Sequence, residues 1–142
     1  MELKPYQKKV VEDLSLFLDY VEKENDYAVA YTKYRQDKGF RVDGLDPKAL
    51  PLYKNTIPNC PHVCMKVPTA GGKTFIACNA LKPIFDKFPI TKEKVVVRLV
   101  PSVTILDQTI NNLSNPDHPY RQKIESLFNG RVEIFTKDKL LQ

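Results

Sequence analysis

Val67-Pro68-Thr69-Ala70-Gly71-Gly72-Lys73-Thr74 is the stretch on which the reading of this chain turns. An apolar run precedes it, a helical pattern follows it, and it ends in Gly-Lys-Thr. That is the layout of a phosphate-binding P-loop. The physical demands are specific. Successive backbone N–H groups must close around phosphate oxygens, so residues without bulky side chains suit the turn. Ala70, Gly71 and Gly72 meet that need. The helix expected to start near Lys73 points its positive dipole end at the anion. In this pattern Lys73 reaches the β- and γ-phosphates, and Thr74 places a hydroxyl on Mg²⁺. The general form G-x-x-x-x-G-K-[ST] has glycine where this chain has Val67.

Working outward, the whole chain is 142 residues, one domain with enough residues for a real core. Its 42% hydrophobic and 27% charged residues are those of an ordinary soluble globular protein. No apolar run approaches the roughly 20 residues that span a bilayer, so no membrane partner is expected. The N-terminal Met-Glu-Leu-Lys-Pro-Tyr-Gln lacks the apolar core of a secretory signal. A net charge of +5 leans toward a polyanionic partner, though the lysines are scattered rather than blocked together. Cys60, Cys64 and Cys78 are three, so they cannot all pair. They read as reduced thiols in a cytoplasm.

Three regions follow from the patterning. Residues 1–24 hold an amphipathic helix over 5–23. Pro5 suits its first position, and Val10, Leu14, Phe17 or Leu18, and Val21 form a buried stripe. Residues 25–61 begin with a helix over 27–37, capped by Asn25 or Asp26 and carrying Tyr27, Tyr31 and Tyr34 on one face. The row of tyrosines reads as half-buried packing rather than base stacking. The run Tyr-Ala-Val-Ala-Tyr also fits a strand, and the pattern alone leaves both open. Six Gly and Pro residues make 38–61 loop-like, with one helical turn at 46–50 capped by Asp46.

In residues 62–142 strands and helices alternate. Strands are expected over 62–67, 94–100 and 131–135, and helices over 73–87, 103–113 and 119–128. Phe75, Ile76, Ala80, Leu81 and Ile84 face inward on the first of these helices, where Pro83 should weaken or bend the last turns. Ser102 caps the second, with Ile105, Leu106, Thr109, Ile110 and Leu113 on one face; Ile124, Leu127 and Phe128 point inward from the third. Thr136 reads as the cap of a last helix. Strands alternating with helices imply a parallel sheet with right-handed crossovers. The phosphate loop then lies at the carboxyl end of the first strand, where α/β folds bind ligands.

Three stretches together resemble the N-terminal part of a superfamily 2 helicase. The loop of that superfamily is often Pro-Thr-Gly-x-Gly-Lys-Thr, and residues 68–74 are similar, with Ala70 in place of a glycine. That substitution is mild if Ala70 keeps αR or β angles. On this comparison Val67 is no anomaly; it is the last residue of a strand. Leu3-Lys4-Pro5-Tyr6-Gln7 looks like the Q-motif segment, often Leu-Arg-x-Tyr-Gln. The resemblance makes Gln7 the residue that reads the adenine edge, and an amide has the donor and acceptor for it. Lys4 stands where arginine is common, which weakens any stacking role there. Residues 95–109, with Val-Pro-Ser-Val-Thr-Ile-Leu-Asp-Gln-Thr, are similar to motif Ia, so Pro101 and Ser102 become candidates for holding a nucleic-acid backbone. Within the superfamily the wording is nearest the restriction (Res) subunit of type III restriction enzymes. The resemblance covers most of the chain outside roughly 25–60.

It implies an α/β P-loop NTPase fold of the RecA-like, three-layer kind, preceded by N-terminal helices and incomplete as it stands. The implied activity is that of a DNA helicase or translocase. The implied cofactors are ATP and Mg²⁺, held by Gln7, Thr69, Ala70, Gly71, Gly72, Lys73 and Thr74. Lys73 and Thr74 are the catalytic candidates, and Thr74 is the Mg²⁺ ligand. The implied partners are double-stranded DNA and a methyltransferase (Mod) subunit. Hydrolysis needs a carboxylate to organise Mg²⁺ and water, and usually an arginine on the γ-phosphate. In the superfamily these come from a D-E-x-H box and a second RecA-like domain; no Asp-Glu pair occurs in the chain. Weak binding of ATP at best, without turnover, is therefore expected.

Two other readings compete. Small P-loop kinases usually keep the first loop glycine and an arginine-rich lid, which Val67 and the sparse later arginines argue against. A basic α/β module could also engage DNA without nucleotide. Cys60, His62 and Cys64 offer three zinc ligands, but no second pair follows at finger spacing, so structural thiols are the better reading. Lys66 and Arg98 are charges inside expected strands: Lys66 snorkels or edges the nucleotide site, and Arg98 fits a buried ion pair or a partner surface. His118 reads as solvated.

Overall fold

α1 (Pro5–Glu24) starts where Pro5 loses nothing by lacking an N–H, and ends at Asn25, whose φ of 52° turns the chain left-handed. The computed structural model describes residues 1–87 and 93–140. Leu14 and Phe17 form the buried stripe of α1. α2 (Tyr27–Asp37) follows at once. The Asp26 carboxylate accepts from the Val29 N–H at 2.8 Å, so the run Tyr-Ala-Val-Ala-Tyr is helical and not a strand. Ala30 is fully buried, and its small side chain lets the two helices approach. Phe17 meets Tyr34 edge-on at 5.7 Å between ring centres. Burying a ring of that size contributes roughly 1.5–3 kcal/mol. Outside this core, Lys38 pairs with Asp13 at 2.5 Å and Lys33 with Glu24 at 2.6 Å, while the Tyr20 hydroxyl donates to Asp37.

The segment 38–61 is loop, as its Gly and Pro content predicts, but it is tied down. Val42 and Leu50 form a parallel bridge, and Arg41 pairs with Asp43 and Asp46 at 2.7 and 3.0 Å. Asp46 caps its short turn by accepting from the Lys48 N–H at 2.9 Å. Tyr53 packs on Tyr31 at 5.8 Å and accepts from the His62 N–H at 2.7 Å.

α3 (Lys73–Phe85) is the element the others gather round: α1 lies on one side and α5 (Pro119–Phe128) on the other. Phe75 and Ile76 are almost wholly buried. Phe75 stacks on Tyr120 at 5.9 Å, and Phe85 meets Phe128 at 5.6 Å. Pro83 lies inside α3, yet the helix runs to Phe85 and the Asp86 N–H still bonds the Lys82 carbonyl at 2.9 Å. Lys87 closes the α1 contact by pairing with Asp19 and Glu22 at 2.6 and 2.7 Å.

α4 (Val103–Ser114) begins where expected, with the Ser102 hydroxyl accepting from the Ile105 N–H at 3.3 Å. Its expected inward face is not inward: no residue of α4 is buried, and Ile105 and Leu106 are exposed. α6 (Lys137–Leu140) follows Thr136 as expected. The stretches 62–67, 94–100 and 131–135, expected as strands, form no ladder among the described residues. A strand is held by hydrogen bonds to a neighbour, and the described residues show none between these three stretches. Val95, Val97 and Leu99 are accordingly 83%, 79% and 90% exposed. α4 lacks a face to cover for the same reason. The third stretch is held instead by Arg121, whose guanidinium donates to the carbonyls of Leu113 at 3.3 Å and Val132 at 3.1 Å while pairing with Glu125 at 2.7 Å.

Candidate functional site

The loop before α3 is a tight turn. The Gly71 N–H donates to the Pro68 carbonyl at 3.0 Å. A Cβ on residue 71 would come within 2.6 Å of Val67 Cγ1 and 2.8 Å of the Pro68 oxygen, so only glycine fits there. Gly72 has φ of 72°, and a Cβ on it would meet the Gln7 amide. The double glycine is thus demanded by the fold of the loop itself. Ala70 has φ of 62°. The expectation of a mild departure is corrected here: alanine sits in the left-handed region, where its Cβ crowds the next carbonyl.

Gly72 is the N-cap of α3, so the first N–H groups of that helix open toward the turn, free of intrahelical partners. Lys73 is exposed, and no carboxylate pairs with it among the described residues. Thr69 is exposed and Thr74 half-buried at either end of the turn. The structure therefore brings Thr69, Ala70, Gly71, Gly72, Lys73 and Thr74 together around the mouth of one helix.

Gln7 joins them. It is 6% exposed, 64 residues before the loop in sequence, and its Nε2 donates to the Gly71 carbonyl at 3.0 Å. Its Oε1 accepts from the Lys4 N–H at 2.9 Å, closing the first turn of α1. A carboxamide has two N–H donors and a carbonyl with two lone pairs. One donor and one lone pair remain for a ligand. Tyr6 was not singled out from the sequence, yet its hydroxyl donates to the same Gly71 oxygen at 2.9 Å. Its place next to Gln7 was the available signal.

Arg98 is not in the buried ion pair that was one of its two expectations. It is exposed, has no carboxylate partner among the described residues, and its Nη2 donates to the Thr74 hydroxyl at 3.0 Å. Cys78, one turn further along α3, feels the same charge: burial pushes its thiol up, and the Arg98 guanidinium offsets part of that. Pro101 and Ser102 are exposed a few residues on, with the Ser102 hydroxyl occupied in capping α4. Lys66 is exposed and lines a cleft of about 340 Å³ between α1, α2 and the 62–66 stretch. His118 is not merely solvated: its Nδ1 accepts from the Tyr120 N–H at 3.2 Å and caps α5. Cys60 and Cys64 are exposed free thiols, and the His62 ring packs on Tyr53 at 6.4 Å. Among the described residues no helix is long and apolar enough to cross a membrane, and no group of three or more His, Cys, Asp or Glu residues is placed to hold a metal ion.

The chain matches no curated protein and no solved structure. A family model does match, and over residues 1–141, which takes in the Gln7 helix, the loop, the Arg98 segment and α5 alike: the chain belongs to the family described as "Type III restriction enzyme, res subunit".

Proposed function

We propose that this chain is the ATP-binding part of a DNA helicase or translocase, the motor of a restriction (Res) subunit. It would work in the cytoplasm on double-stranded DNA beside a methyltransferase (Mod) subunit. The observation that carries the reading is the turn at residues 68–74. It is a loop in which glycine is sterically required, set at the open N-terminus of α3, with a Lys73 beside it that no carboxylate pairs among the described residues, and the Gln7 amide tied to its Gly71 carbonyl. Family membership supports the same conclusion.

The residues present fit Mg²⁺-ATP. The backbone N–H groups at the start of α3 suit phosphate oxygens, and the helix dipole favours negative charge there. Lys73 supplies a mobile point charge. Thr74 supplies a hydroxyl oxygen for Mg²⁺, which when bound would neutralise phosphate charge. Gln7 has one donor and one acceptor left for the adenine edge. Pro101 and Ser102, exposed at the start of α4, are the proposed contacts to a nucleic-acid phosphate. We propose for the core the RecA-like α/β arrangement, in which 62–67, 94–100 and 131–135 are parallel strands.

The test is binding of a fluorescent ATP analogue by purified protein. Lys73→Ala should abolish it. Gln7→Ala should weaken ATP at least fivefold more than GTP. Equal affinity of the unaltered protein for ATP and GTP would remove the adenine role of Gln7, and undiminished binding by Lys73→Ala would remove the phosphate role of the loop.

A further inference from the structure

We propose that Arg98 is a second phosphate-binding cation of the nucleotide site, one that stands at the Thr74 hydroxyl in place of the metal ion. This rests on the nucleotide reading of the loop. Arg98 interrupts an apolar run, Val95-Val96-Val97 before it and Leu99-Val100 after it. No carboxylate compensates its charge among the described residues, and its one recorded partner is the Thr74 hydroxyl at 3.0 Å. Both cations at the mouth of α3, Lys73 and Arg98, thus lack a counter-charge among the described residues.

Like charge makes the two occupants compete. Thr74 Oγ accepts from Arg98 through one of its two lone pairs. A divalent ion arriving there also meets a guanidinium of like charge, which must swing away. A nucleotide arriving without metal meets the opposite situation. Its phosphate oxygens find a planar fork of N–H donors already held beside the turn, suited to bidentate contact. Arg98 therefore supports metal-free nucleotide and opposes Mg²⁺.

The experiment compares ATP affinity in excess EDTA with that in Mg²⁺, for the unaltered protein, Arg98→Ala, Arg98→Lys and Lys73→Ala, with circular dichroism confirming equal helix content. Inorganic tripolyphosphate, as a competitor in EDTA, shows that the contact is to phosphate and not to base. Arg98→Ala should lose at least tenfold in EDTA, and the factor by which Mg²⁺ strengthens binding should rise at least tenfold. Arg98→Lys, which keeps the charge and loses the fork, should fall between. If Arg98→Ala binds as tightly as the unaltered protein in EDTA, or loses equally in both buffers, the inference about Arg98 is overturned while the loop stands. If the unaltered protein binds no nucleotide in either buffer, both readings fall.

Discussion

Ala70 is the residue at which the loop is under strain. A left-handed φ costs a non-glycine residue roughly 1–2 kcal/mol, and Ala70 adopts 62°. Ala70→Gly removes that strain, partly offset by the freer unfolded chain, which takes back about 0.4–1 kcal/mol. The expected net gain is up to about 1.5 kcal/mol, read as a higher urea midpoint at unchanged slope. Gly72→Ala should do the reverse and more, since it adds a Cβ both at φ of 72° and against the Gln7 amide. A midpoint unmoved by either substitution would contradict the loop geometry. The sequence showed which residues form the turn but not their angles. A small residue at position 70 looked harmless because its side chain is small, whereas the strain comes from its backbone. Gln7 was legible only through resemblance, because nothing local says that a residue 64 positions away will donate to Gly71. Arg98 stood out as a misplaced charge, but the atom it serves could not be read from a run of valines.

The pairing of α1 with α2 and with the end of α3 is fastened by groups that titrate in alkali. The Tyr20 phenol is pushed up chiefly by its hydrogen bond to Asp37. Lys38 is pushed up by its bond to Asp13, and Lys87 by its bonds to Asp19 and then Glu22. In each case the folded value lies above the unfolded one. The stabilising contribution is therefore full below the unfolded values, about 10 for tyrosine and 10.4 for lysine, and is lost as pH rises through the folded values. Thermal stability should hold level from pH 7 to about 9.5 and fall above about 10. Tyr20→Phe should make that fall shallower, because the variant has no phenol there to ionise. A melting temperature level to pH 11 would show that these contacts contribute nothing. The helices themselves were readable because their signals are local: Pro5, Asp26, Ser102 and Pro119 each sit where the structure starts a helix. The His118 cap was missed because an imidazole nitrogen is an unusual acceptor at that position. The three expected strands were read from β-branched apolar runs, and such a run specifies a strand only where a neighbour supplies the ladder.

Packing is unevenly distributed through the molecule, and its distribution bears on turnover. α1 and α5 close around α3, so the phosphate turn is mounted on the best-buried helix, with Phe75 and Ile76 in its first turn. The segment that brings Arg98 and Ser102 to the site is the least covered, with Val95, Val97 and Leu99 mostly in solvent. The buried half thus holds the loop proposed to grip phosphate and Mg²⁺, and the exposed half holds Arg98 and the residues proposed to meet DNA. Hydrolysis asks for more than grip. A carboxylate must order Mg²⁺ and the attacking water, and positive charge must meet the γ-phosphate as it leaves. Lys73 and Thr74 have no acidic side chain in contact among the described residues, and the one group on Thr74 is a cation. Arg98 offers positive charge, but among the described residues no carboxylate contacts the loop, and no Asp-Glu pair occurs in the sequence. Residues 1–142 alone should therefore bind ATP and leave it intact, with phosphate release at the background rate and unaltered by Lys73→Ala or by added duplex DNA. Release well above background that disappears in Lys73→Ala would mean that a carboxylate elsewhere in these residues reaches the loop, and the division between gripping and hydrolysing parts would be lost.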